Sequence, residues 1–176
     1  GRVGPMGIRG GGKLISVYGR KKLYGEALVR QLNANWVILR SNVVFSFQER
    51  TKASFMDWVV DSLKNRQSIT VVDDQWNNPT WTVDLARIIS RVMDHEIYGL
   101  YHYGGRDLLN RFAFAEMIAE TFKLDRTLIE PIDTASLNQL AKRPLKSGLR
   151  PEKIEIDLGV EALPLQKALN EIYSLS

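Results

Sequence analysis

Hydrophobic residues recur along the chain either at helical spacing or as short continuous runs. Apolar residues three to five positions apart predict helices that begin near Tyr18 and cover residues 55–63, 82–94 and 111–122. Short apolar runs predict buried strands at residues 36–39, 69–72, 99–103 and 129–132. Because strands and helices alternate along the chain, the sequence predicts an α/β fold.

Polar and turn-forming residues separate these elements. The glycine-rich residues 1–15 predict an irregular head, and residues 16–176 are expected to form the structured part. Residues 41–53 predict a loop, residues 73–80 are rich in turn formers, and small helices are expected at residues 134–141 and 164–173. Thr82 and Asn110 are the expected N-caps of the helices that follow them. Leu23, Ala27, Leu28 and Leu32 recur at helical spacing in the first helix. The residues expected to face inward in the third helix are Leu85, Ile88, Ile89 and Val92.

The composition is ordinary for a globular protein, with 44% hydrophobic and 25% charged residues. The chain has no cysteine, which excludes disulfides and thiolate metal sites and fits the reducing cytoplasm, where we expect it to act. His95 and His102 have no partners at metal-ligand spacing, so no metal site is predicted. No apolar run approaches the roughly 20 residues of a membrane helix, so no membrane partner is expected.

The net charge of +4 arises mainly from the head of the chain. Arg2, Arg9 and Lys13 lie in a stretch without acids, and the remaining chain is close to neutral. Nucleic-acid-binding proteins usually carry a basic stripe with interleaved aromatic residues, which this sequence lacks. We therefore expect no nucleic-acid partner.

The glycines of the head resemble two nucleotide-binding motifs. Gly4, Gly7 and Gly10 have the spacing of a dinucleotide-binding turn, and residues 7–13 read G-x-x-x-x-G-K, as in a P-loop. The first motif needs a strand before it, and only three residues precede Gly4. The second needs a serine or threonine after the lysine, where Leu14 stands. Neither motif is expected to bind a nucleotide.

Tyr18 and Lys22 lie four positions apart on a predicted helix, so their side chains project from one face. A tyrosine phenol titrates near pH 10, and a nearby cation favours the phenolate and brings the pKa closer to neutral. Such a pair can donate a proton to a carbonyl oxygen while hydride arrives at the carbon. The spacing is also common by chance, and a solvated helix face is the alternative interpretation.

The context of this pair points to a known family. Residues 16–26 read S-V-Y-G-R-K-K-L-Y-G-E and resemble the Y-G-x-x-K-L-x-G-E signature of extended short-chain dehydrogenases. The resemblance is closer still to the dTDP-4-dehydrorhamnose reductase family, which includes the regulatory β subunit of methionine adenosyltransferase. It covers about residues 16–173 and continues through V-I-L-R-S at 37–41, D-Q-W-N-N-P-T-W-T-V-D-L-A at 74–86, G-L-Y-H-Y-G-G at 99–105, R-P-L at 143–145 and G-L at 148–149.

The resemblance implies a reaction and a set of site residues. Family members reduce a 4-keto deoxysugar nucleotide with NADPH or NADH, so Tyr18 would be the catalytic acid and Lys22 its partner, both also contacting the cofactor. The loop after Arg40 would lie beside the nicotinamide and supply Ser41, Asn42 and Val43. The implied substrate-binding residues are Gln75, Trp76, Pro79, Thr80 and Arg143, of which Arg143 can pair with a diphosphate. Trp81, Arg143 and the Asn78–Pro79 pair also allow purely structural interpretations.

Family members carry a nucleotide-binding half before the tyrosine, whereas 17 residues precede Tyr18 here. We therefore expect a partial Rossmann-like fold that lacks the N-terminal nucleotide-binding half and retains a small α/β substrate-binding lobe. We expect a truncated or frame-shifted reductase that is inactive alone; a natural or designed short form is the alternative. A second hypothesis is a noncatalytic regulatory or binding module. The face left by the missing half would then favour self-association or a partner protein.

Overall fold

The computed structural model describes residues 17–32, 35–47, 54–137 and 143–176. The head, residues 1–15, lies outside these ranges. The described ranges contain α-helices α1 to α6 at Val17–Leu32, Phe55–Lys64, Thr82–Asp94, Arg111–Thr121, Glu152–Leu158 and Leu165–Leu175. They also contain strands β1 to β8 at Val37–Arg40, Val44–Phe45, Ile69–Val72, Trp76–Asn77, Thr80–Trp81, Gly99–His102, Leu109–Asn110 and Ile129–Ile132.

The strands pair across long stretches of sequence. β1 pairs in parallel with β6, β2 with β5, and β3 with β8, while β4 and β7 are antiparallel. The β3–β8 register places Ile69 opposite Ile129, and the β1–β6 register places Arg40 opposite His102. Parallel pairs need a long crossover, and the helices between the paired strands provide it. The predicted α/β class is confirmed.

Two hydrophobic clusters hold these elements together. The larger one joins β3 and β8 to α2, α4 and α6, with Val59, Ile118 and Leu169 fully buried. The smaller one joins α3, α5 and β6, with Ile88 and Ile154 fully buried. Burial of apolar surface is the main favourable contribution to folding, so each cluster stabilises the elements around it. No helix in the described part of the chain is both long and apolar enough to cross a membrane.

Helix α1 forms where its spacing predicts, but its apolar face is exposed. It has no buried residue, and Leu23, Leu28 and Leu32 are 44%, 41% and 83% exposed. Spacing predicts that apolar residues share a face, whereas burial depends on what the rest of the fold places against that face. The described elements place no core there. In α3, Ile89 was expected to face inward and is instead 45% exposed.

Three other local predictions need correction. Residues 41–53 were expected to form a loop, yet Val44–Phe45 forms β2 through its pairing with β5. Thr82 is the first residue of α3 and not its N-cap, which is Trp81 without a capping side-chain hydrogen bond. Residues 134–137 form a turn and not the start of a helix, and residues 138–141 of the predicted helix lie outside the described ranges.

Helix α5 was not predicted. Its sequence signal is the C-terminal Gly159, whose φ of 59° lies in the left-handed region that glycine adopts without strain. By contrast, the predicted cap of α4 is confirmed. The Asn110 side chain accepts a hydrogen bond from the backbone N–H of Ala113 at 2.7 Å.

Candidate functional site

The Tyr18–Lys22 pair lies at the start of α1. The Lys22 ammonium nitrogen is 5.5 Å from the centre of the Tyr18 ring, as expected for side chains four positions apart on a helix. Tyr18 is 70% exposed, so its hydroxyl is accessible to a ligand. The Tyr18 and Lys22 side chains therefore lie close enough to each other to interact. It lines neither of the two cavities described below.

Glu26 and Arg40 join α1 to β1. The two Glu26 carboxylate oxygens each accept a hydrogen bond of 2.7 Å from Arg40, one from Nε and one from Nη2. The Arg40 hydrogen bond lowers the pKa of Glu26, and Glu26 in turn raises the pKa of Arg40. The pair sets the position of α1 relative to the strand that ends beside Ser41. Sequence reasoning assigned no role to Glu26, although it closes the Y-G-x-x-K-L-x-G-E signature.

Ser41, Asn42 and Val43 follow β1, as the resemblance implies. Within the described part of the chain, the Ser41 Oγ and the Asn42 Oδ1 are buried and have no hydrogen-bond partner. Asn42 Nδ2 donates to the Ser147 carbonyl at 2.6 Å, which fixes the side chain. Val43 has a φ of 42°, a strained value for a β-branched residue. Buried polar atoms are normally hydrogen-bonded, so these two oxygens are candidates for ligand contacts.

The segment from Gln75 to Thr80 divides into exposed and structural residues. Gln75 is buried and donates from Nε2 to the Thr134 hydroxyl at 2.9 Å, whereas Trp76 is 39% exposed. Thr80 is fully buried, and its hydroxyl lies 2.9 Å from the Asn42 carbonyl oxygen. The Pro79 carbonyl packs against Gly105, where an added Cβ would lie 2.1 Å from it. Pro79 and Thr80 thus shape the backbone of this region.

Two predicted substrate residues, Gln75 and Arg143, line one cavity of about 390 Å³, which we call the Arg143 cavity. Phe55, Trp58 and Arg111 line it as well. Trp58 is 40% exposed, so a flat aromatic surface is available beside two guanidinium groups. Aromatic rings stack on nucleobases, and guanidinium groups bind phosphates in bidentate fashion. This combination suits a nucleotide.

A second cavity of about 410 Å³ lies beside the first, and we call it the Val43 cavity. Phe55 and Arg111 line both cavities, and Asp57 lines only the second. The Val43 cavity therefore connects a predicted cofactor residue to the region of the predicted substrate residues. Trp76, Pro79 and Thr80 line neither cavity.

Sequence reasoning missed Phe55, Trp58 and Arg111 as site residues. Phe55 has the spacing of a core residue, and it does pack against the larger cluster. Trp58 lies on α2, one position before the buried Val59. The spacing of hydrophobic residues does not predict that Trp58 is partly exposed. Arg111 directly follows the N-cap Asn110, and nothing local indicates where its side chain points. Only the packing of α2 against α4 brings these residues together.

Metal-ligating side chains do not cluster in the described ranges: no three His, Cys, Asp or Glu residues come together there. The sequence prediction that the protein has no metal site stays a prediction.

The described residues thus combine an α/β fold, the Tyr18–Lys22 pair on α1 and two neighbouring cavities. Residues 13–175 match the family described as RmlD substrate binding domain, and the chain belongs to this family. The dTDP-4-dehydrorhamnose reductase of Aggregatibacter actinomycetemcomitans is 31% identical over 169 residues, which cover 90% of this chain and 56% of that protein. The chain thus spans about half the length of this relative. The predicted family resemblance is confirmed.

Solved structures agree with the sequence match. A dTDP-4-dehydrorhamnose reductase from Clostridium acetobutylicum superposes with a TM-score of 0.89 at 29% identity, covering 97% of this chain and 59% of that one. The Bacillus anthracis enzyme, solved in complex with NADP, has a TM-score of 0.83 at 24% identity and covers 95% of this chain and 58% of that one. A cofactor-bound protein therefore shares this fold.

Proposed function

We propose that this chain supplies the substrate-binding part and the proton donor of an NADPH- or NADH-dependent reductase that acts on a 4-keto deoxysugar nucleotide. The observation that carries the proposal is the Arg143 cavity. It combines two arginines, the exposed Trp58 and the buried Gln75 in a chain of the RmlD family. Two guanidinium groups suit a diphosphate, and Trp58 suits stacking on a base.

The chemistry at the sugar rests on Tyr18 and Lys22. A ketone reduced to an alcohol gains hydride at carbon and a proton at oxygen, and Tyr18 would donate that proton from its hydroxyl. Lys22, with its nitrogen 5.5 Å from the ring centre, would stabilise the negative charge left on the tyrosine oxygen. General acids of this kind contribute about 10²–10⁴-fold to the rate.

The residues after β1 fit a nicotinamide cofactor. The buried oxygens of Ser41 and Asn42 lack partners among the described residues, and Val43 lines the adjoining cavity. Polar atoms of this kind suit the amide and hydroxyl groups of such a molecule. When bound, the cofactor supplies the hydride. Ser41, Asn42, Val43, Tyr18 and Lys22 would hold and orient it.

The test combines binding with turnover. We expect saturable quenching of tryptophan fluorescence by dTDP, because Trp58 lies in the Arg143 cavity. When this chain is joined to the nucleotide-binding half of a family member, NADPH oxidation with a dTDP-4-keto-6-deoxy sugar should fall at least about 100-fold in Tyr18→Phe, as expected on removal of a general acid. Tyr24→Phe is the matched control, because Tyr24 lies on the same helix and is 67% exposed.

Two results would contradict the proposal. Equal turnover in the Tyr18→Phe and wild-type chains would exclude Tyr18 as the proton donor. Saturable dTDP binding with no turnover in any variant, even when the nucleotide-binding half is joined to the chain, would instead favour a noncatalytic binding module.

A further inference from the structure

Arg111 occupies a central position that the residue roles above leave unexplained. It is the first residue of α4, and its side chain lines both the Arg143 cavity and the Val43 cavity. Its guanidinium carbon lies 5.1 Å from the centre of the Phe55 ring. Stacking on Phe55 fixes the plane of the guanidinium and leaves its N–H groups free to bind at the edge.

Arg111 shares the Val43 cavity with the buried Asp57 but forms no ion pair with it. No carboxylate of the described residues forms an ion pair with it, although such pairs occur elsewhere in the same ranges. Burial lowers the pKa of Arg111, and the positive charge of Arg143 lowers it further. A half-buried cation beside another cation is unfavourable unless an anion joins them. The site is thus arranged for a ligand with negative charge.

The two arginines differ in what they reach. Arg143 lines only the cavity that also contains Trp58 and Gln75, whereas Arg111 reaches the Val43 cavity as well. A nucleotide sugar has its diphosphate between the nucleoside and the sugar. Because Arg111 lines both cavities, a nucleoside in the Arg143 cavity would allow the sugar to extend past Arg111 toward Val43.

We propose that Arg111 binds the diphosphate of the nucleotide sugar at the phosphate that carries the sugar, while Arg143 binds the phosphate next to the nucleoside. This inference rests on the proposed function, because it takes the nucleotide sugar as the ligand. It makes Arg111 the residue that directs the sugar from one cavity into the other.

The experiment measures binding of dTDP, dTMP and inorganic pyrophosphate to the 176-residue chain by calorimetry. Arg111→Met should weaken dTDP binding about 10- to 100-fold, as expected on loss of charge-assisted hydrogen bonds, and leave dTMP binding unchanged. Arg143→Met should weaken both nucleotides. Arg91→Met is the matched control, since Arg91 is an exposed arginine of α3 outside both cavities, and it should change neither.

Arg111→Lys is the control for misfolding, because it keeps the positive charge and loses only the planar guanidinium group. It should retain the circular dichroism of the wild type and bind dTDP with intermediate affinity. Equal dTDP affinity in the wild-type and Arg111→Met chains would overturn the inference and leave the proposed function standing. If pyrophosphate binds in an Arg111-dependent manner and neither nucleotide binds, the anion site stands and the proposed substrate is wrong.

Discussion

Glu26 and Arg40, which are 14 residues apart, form a bidentate ion pair with two hydrogen bonds of 2.7 Å. Arg40 Nη1 also lies 3.4 Å from His102 Nε2 on the neighbouring strand β6. Because α1 has no buried residue, its position relies on such polar contacts more than on hydrophobic packing. The pair therefore connects the proposed proton donor to the strand that leads into Ser41.

Replacing Glu26 should loosen α1 more than the rest of the molecule. Glu26→Gln removes the charge and one of the two hydrogen bonds, which we expect to cost about 1–2 kcal/mol because bonds between charged groups exceed neutral ones. Hydrogen exchange of α1 amides should accelerate while that of α4 stays constant. Glu171→Gln, an exposed change on α6, serves as the control. Unchanged exchange in α1 would show that other contacts hold this helix.

Alanine substitutions at Gly105 and at Gly25 should have opposite effects on stability. A Cβ on Gly105 would lie 2.1 Å from the Pro79 carbonyl oxygen, whereas one on Gly25 meets nothing within 4 Å. Gly105→Ala should therefore destabilise the fold by about 1–3 kcal/mol or more, as overpacking does. Gly25→Ala, within helix α1, should stabilise that helix by up to about 1 kcal/mol. Urea unfolding measures the first change and amide exchange the second. A Gly105→Ala chain as stable as the wild type would refute the close approach.

The Asn78 side chain links two segments that are distant in sequence. Its Nδ2 donates to the Gly105 carbonyl at 3.0 Å, and its Oδ1 accepts from the Leu149 N–H at 2.8 Å. Asn78→Ala leaves both backbone groups unpaired in a buried region, at an expected cost of about 1–3 kcal/mol for each. Thermal unfolding should show a lower midpoint, while Asn170→Ala on the exposed face of α6 should change it little. Similar midpoints for the two variants would contradict a bridging role.

The free energy of unfolding should decrease at alkaline pH because Tyr103 is buried with its proton. It is fully buried and donates a hydrogen bond to Asp84, and burial and that carboxylate together raise its pKa above 10.0. An unfolded tyrosine loses its proton near pH 10, so the folded state holds one more proton above that value. The free energy of unfolding should then decrease with pH by up to about 1.4 kcal/mol per unit. This component should be absent in Tyr103→Phe and present in Tyr98→Phe, whose residue is 48% exposed. Identical pH profiles for the two variants would reject this assignment.

Local sequence signals predicted several elements well, because their physical causes are local. The apolar spacing of α2 and the short run of β3 match the observed Phe55–Lys64 and Ile69–Val72. Asn110 caps α4 because its side chain bonds an N–H only three residues away. By contrast, β2 and β5 are two residues each and exist through pairing with each other, so no periodicity marks them. The same pairing places the start of α3 at Thr82.

The sequence alone determined the α/β class, the family and the presence of Tyr18 and Lys22 on one helix, since these follow from spacing and from motifs read in order. The tertiary structure alone decided that Phe55, Trp58, Arg111 and Arg143 meet. It also decided that Thr80 is buried, that Glu26 joins α1 to β1 and that the apolar face of α1 stays exposed. Each of these depends on contacts between residues far apart in the chain, and a local pattern contains no information on which distant element will pack against it.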